Sequence, residues 1–114
     1  MSRADEQRID DIFDAASQVT ALAEEGKEAW DADRVRQLAV ERLLEIIGES
    51  ARALSDEARA RYPEIPWSDV IGLRTVLAHH YHRVDSDQVW TIATKAVPAL
   101  VAQLRPTAGP GDRH

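Results

Sequence analysis

The chain of 114 residues contains no cysteine. That excludes disulfides, thiolate-ligated zinc and thiol nucleophiles. Long apolar runs are missing as well. No segment approaches the roughly 20 apolar residues that a membrane-spanning helix needs, so no membrane partner is expected. The first residues, MSRADEQRIDD, are polar and acidic and lack the apolar stretch of a secretory leader. With the absence of cysteine, this predicts a cytoplasmic protein. An excess of basic residues is also lacking: the formal net charge is −6. Nonspecific binding to long nucleic acid rests mainly on phosphate neutralisation, so an acidic chain is poorly suited to it. The charge is uneven, however. Residues 1–62 carry 15 acids and 9 bases, whereas 63–114 carry five of each and all four histidines. A local anion site therefore belongs in the second half.

What is present is helical pattern from end to end. Hydrophobic residues make up 44%, and the length suits one domain with one core. Ile9, Ile12, Phe13, Ala16 and Val19 form one stripe at three- and four-residue steps. Ser2 can cap its start and Gly26 its end. A second helix begins near Asp31 or Asp33 and carries Val35, Leu38, Leu43, Leu44, Ile46, Ile47, Ala51 and Leu54. Its wide apolar face predicts a central position. Gly48 within it costs about 1 kcal/mol relative to alanine and is read as close packing of a neighbouring helix. Ser55 can cap a short helix through Tyr62, and Pro63 and Pro66 fix an extended connection. Ser68 can cap a helix running from Asp69 toward the histidines. Asp85 or Ser86 can start the last helix, with Val89, Ile92, Ala93, Ala96, Leu100 and Leu104 largely in phase and a kink or split at Pro98. Trp67 and Trp90 fall at apolar phase and read as core or interface anchors. The prediction is an all-α bundle of four main helices plus a short helix, spanning 1–105, with a disordered tail at 106–114.

The chemistry concentrates in RTVLAHHYHRVD, residues 74–85. Arginine is a permanently charged, forked donor suited to phosphate. Histidine takes or gives a proton near neutrality. Such a pair can cleave RNA without metal: histidine helps the 2′-hydroxyl attack the adjacent phosphate or protonates the leaving oxygen, and arginine stabilises the charge that develops. At 100° per residue, Arg74 and His79 lie roughly 140° apart on an ideal helix. Either the helix ends before His79 or a second chain completes the site, as a two-fold dimer would. Blander readings stand beside this one. The pair can be a solvated helix end, and Tyr81 a packed ring with a wet hydroxyl. His79 and His82 could also hold a metal with Asp85 or Asp87, although no further carboxylate cluster supports that.

The stretch beginning at Pro66, PWSDVIGLRTVLAHHYHRVDSDQVWTIATKAVPAL, resembles the HepT-like toxins of the HEPN superfamily, and AVERLLEIIGESARAL resembles the family's second helix. The family signature is an arginine, four to six residues, then His-x-Tyr; here it is Arg74, TVLA, His79, His80, Tyr81. The resemblance implies an all-α homodimer with a composite site at its interface. It implies a metal-independent endoribonuclease with no cofactor and with Arg74 and His79 as the catalytic pair. It further implies the toxin of a type VII toxin–antitoxin system whose partner is a minimal nucleotidyltransferase (MNT) antitoxin. That partner transfers AMP to the motif tyrosine, which maps onto Tyr81. His80 and His82 are additional histidines able to assist. The position after the motif arginine is usually asparagine or another strongly polar residue. Here it is Thr75, which offers a hydroxyl but no amide. This departure keeps a second reading open, a helical subunit that complexes the nucleotidyltransferase without cleaving RNA.

Overall fold

The computed structural model describes residues 1–78 and 85–104, with 75–78 described by backbone alone. Every regular element among them is helical: α1 (Arg3–Ala23), α2 (Lys27–Asp31), α3 (Arg34–Arg52), α4 (Asp56–Ala60), α5 (Trp67–Ala78), α6 (Ser86–Thr91), a π-helical turn (Ile92–Ala96) and α7 (Val97–Leu104). The last three run on without a break. The four main helices are thus α1, α3, α5 and the rod over 86–104, and α4 is the expected short one. The additional α2 was not foreseen, and the expected disordered tail lies outside the described residues.

Local capping chemistry explains most boundaries. The Ser2 hydroxyl accepts from the Asp5 amide, the Asp33 carboxylate from the Arg36 amide, and the Ser55 hydroxyl from the Ala58 amide. Each satisfies one of the amides that a helix start leaves orphaned. Asp85, rather than Ser86, caps α6, accepting from the Asp87 and Gln88 amides. Gly26 follows the end of α1 at φ 98°, a left-handed conformation that other residues adopt reluctantly. Ser68 is not a cap. Helix α5 starts at Trp67, and the Pro66 carbonyl accepts from the Asp69 and Val70 amides. Proline has already set the backbone for the first turn, so Ser68 falls inside it.

The core is a sandwich around α3, which packs against both α1 and α5, while α1 also meets α7. Ile12, Val19, Val40, Leu44, Ile47, Val89 and Val97 are fully buried. Val35 and Leu38 do not join them and are 76% and 48% exposed. On the helical wheel they stand roughly 140° and 160° from Val40, so the apolar face of α3 is narrower at its start than its composition suggested. Trp30, on the unforeseen α2, is fully buried; its indole donates to the Ser86 carbonyl at 3.1 Å, and its ring lies 5.6 Å from that of Trp90. Trp67 donates to the carbonyls of Arg59 and Tyr62 at 3.0 and 3.2 Å. Both expected tryptophan anchors therefore serve packing.

Pro98 neither breaks nor splits the last helix. Its missing N–H would have reached the Thr94 carbonyl. The π turn lies directly upstream, where the Val97 amide reaches back to the Ile92 carbonyl. The wider turn also changes the buried set: Ala96 is exposed and Val97 buried. The four-residue steps Val89, Ala93, Val97 stay in line because the turn is wider than an α turn.

Candidate active site

Arg74 is positioned by two neighbouring residues of α3. The first is Gly48. A Cβ built there would lie 3.1 Å from the Arg74 amide nitrogen and 3.2 Å from the Arg74 Cβ. The absence of a side chain lets α5 approach α3 closely at the position of the arginine. The expectation of close helix packing at Gly48 therefore holds, and the helix it admits carries the candidate catalytic residue. The second is Glu49, whose carboxylate accepts from Arg74 Nη1 at 2.7 Å.

The pair sits at an open depression of about 530 Å³ lined by Arg42, Glu45, Ile46, Glu49, Ser50 and Arg74. Arg42 donates to Glu45 at 2.9 Å. Each arginine lining the depression thus has a carboxylate partner. Arg74 is 36% exposed and Glu49 53%. Ion pairs this exposed contribute about 0–1 kcal/mol to stability, so an anionic ligand can compete for such an arginine without unfolding the helices. Arg74 Nε is buried and finds no hydrogen-bond partner among the described residues. An orphaned buried donor costs about 1–3 kcal/mol, a condition that Arg74 shares with Arg59.

The other sequence-predicted residues separate into three groups. The Thr75 backbone continues α5, which extends to Ala78, directly before His79. His79, His80, Tyr81 and His82 lie outside the described residues. Asp85 and Asp87, the candidate third metal ligands, already have structural partners. Asp85 caps α6, and Asp87 pairs with Lys27 Nζ at 3.0 Å. Among the described residues there is no group of three or more His, Asp or Glu side chains able to hold a metal ion, and no helix is long and apolar enough to cross a membrane. Glu49 is the residue that sequence reasoning missed. Its only pointer was its neighbour Gly48, which marked the close approach without naming what approached.

Comparison with known proteins gives the class. The model of the family described as "Ribonuclease HepT-like" matches residues 9–106. The chain is 31% identical over 95 residues to "Putative RNase MJ1380" of Methanocaldococcus jannaschii, covering 82% of this chain and 87% of that protein. It is 32% identical over 101 residues to "Probable ribonuclease HepT" of Thermococcus cleftensis, covering 88% and 92%. No solved structure gives a significant match. The chain belongs to the HepT-like ribonuclease family of the HEPN superfamily.

Proposed function

We propose that the protein is a metal-independent RNA endonuclease that acts as the toxin of a HEPN/MNT toxin–antitoxin pair. The observation that carries this reading is the placement of Arg74: a partly exposed side chain at an open depression, on a helix whose described end, Ala78, directly precedes His79 in the sequence. Arg74 binds the scissile phosphate. His79 accepts the proton of the ribose 2′-hydroxyl or donates one to the departing 5′-oxygen. The 2′-oxygen forms a bond to phosphorus as the bond to the 5′-oxygen breaks, leaving a cyclic phosphate and a free 5′-hydroxyl. Arg74 stabilises the negative charge that builds on the phosphate oxygens. His80, His82 and Thr75 are the further candidates to assist. The chain acts as a homodimer with a composite site, as the resemblance to the family implies; a second chain would complete what one straight helix through Arg74 and His79 would not.

Its partner is an MNT-type nucleotidyltransferase. The Tyr81 oxygen attacks the α-phosphate of ATP, pyrophosphate departs, and AMP remains on the tyrosine. The added bulk and negative charge beside Arg74 exclude the RNA backbone by the same physics as a phosphorylation.

Purified protein is expected to cleave RNA in the presence of EDTA, and His79→Ala to abolish the cleavage. Undiminished cleavage by His79→Ala, or loss of activity on chelation, overturns the assignment. After incubation with the nucleotidyltransferase and ATP, mass spectrometry should show added AMP on the wild type and none on Tyr81→Phe.

A further inference from the structure

We infer that Glu49 is a positioning residue for the reaction, orienting the Arg74 guanidinium so that its Nη1–Nη2 edge faces the substrate. The inference rests on the reading of Arg74 as the phosphate-binding cation and goes beyond it by naming what aims that cation.

An arginine side chain has five N–H donors in a rigid fork and two edges able to grip a phosphate bidentately. In Arg74 one of those edges is closed. Nε is buried and has no partner among the described residues, so the Nε side of the guanidinium is turned into the protein. Nη1 spends one proton on Glu49 at 2.7 Å. The remaining donors are the second proton of Nη1 and both protons of Nη2. One Nη2 proton shares the closed Nε side, which leaves the terminal Nη1–Nη2 edge as the one still able to grip a phosphate, on a side chain that lines the depression.

The backbone of Arg74 is already held by the close approach at Gly48. What remains free is the orientation of the guanidinium on its flexible stem. The unpartnered Nε favours swinging the group out into water, where that donor would be satisfied. The bond to Glu49 opposes the swing. Because Gly48 and Glu49 are consecutive on α3, one short segment sets both where the arginine stands and which way it faces. A substrate phosphate then meets a preorganised pair of donors and need not select one rotamer of a mobile side chain, and preorganisation of this kind raises kcat.

The test uses the full chain with Glu49→Ala, Glu49→Gln and Glu49→Asp, with Arg74→Ala as the control for the underlying reading. Cleavage of a fluorogenic RNA oligonucleotide is followed in EDTA, together with thermal melting. Glu49→Ala is expected to lower kcat about 10- to 100-fold, with KM and melting temperature little changed. Glu49→Gln, whose amide oxygen still accepts from Nη1, should recover much of that loss. Cleavage surviving in Arg74→Ala removes the catalytic reading itself. Cleavage lost in Arg74→Ala but unchanged or increased in Glu49→Ala overturns only the positioning role, as does a loss that tracks a fall in melting temperature. A second measurement needs no activity. In ¹⁵N NMR the guanidinium of Arg74, assigned by Arg74→Lys, should rotate slowly in the wild type and freely in Glu49→Ala. Equal rotation in the two proteins overturns the proposal.

Discussion

Gly48 shows how one missing side chain can carry both packing and chemistry. Alanine would gain up to about 1 kcal/mol of helix propensity there. Against that stand two contacts of 3.1 and 3.2 Å with the Arg74 backbone nitrogen and Cβ. Neither is the tip of a flexible side chain, so the α5 backbone at Arg74 must give by a few tenths of an ångström, and overpacking of this kind costs about 1–3 kcal/mol. The cost exceeds the gain, and Gly48→Ala should destabilise the protein by about 1 kcal/mol in urea titration. It should also lower RNA cleavage, because the displaced backbone is that of Arg74. At this scale the sequence is partly legible. Arg74, His79 and Tyr81 are singled out by the resemblance of their motif to the family signature, and Gly48 by its helical context. Glu49 cannot, since a carboxylate on the polar side of a helix looks the same whether it meets water or an arginine 25 residues away.

Among the elements, the starts of α1 and α4 are tied together through one carboxylate. Asp5 is only 5% exposed, and it accepts from the Ser55 amide at 3.0 Å and the Ser55 hydroxyl at 2.7 Å. These bonds, the hydroxyl first, hold its carboxyl below the ordinary value of 3.8. A carboxyl with a lowered folded-state pKa contributes stability at pH values above its unfolded value, and that contribution is lost as the pH falls through the folded value. Asp5→Asn should therefore lower stability at neutral pH and flatten the fall in stability below about pH 4, read as the urea midpoint against pH. Helix boundaries were legible where a cap residue stood alone, as at Ser2 and Ser55, and Asp33 proved the cap of the two candidates offered for α3. They were misread where proline competed. Pro66 starts α5 ahead of Ser68, and Pro98 is accommodated by a π turn that exchanges Ala96 for Val97 in the core. In both cases the backbone adjusted over several residues, which a rule about single positions does not capture.

For the whole molecule, the acidic chain and the cationic site have to be reconciled. The depression beside Arg74 holds two arginines and two glutamates, too balanced a set to attract RNA by charge alone. Two copies related by a two-fold axis would bring two Arg74 and two sets of histidines to one groove. Sedimentation equilibrium should accordingly give twice the chain mass at micromolar concentration, and a monomer that still cleaves RNA would rule out a composite site. The sequence by itself determined the helical class, the central place of α3 and most caps. Those depend on local periodicity and side-chain type, which are written directly in the chain. Only the tertiary structure decided that α5 meets α3 at Gly48, that Glu49 is the partner of Arg74, and that Val35 and Leu38 stay outside the core. Those outcomes depend on which helix faces pack together, and that is settled by the summed burial of the bundle rather than by any one segment.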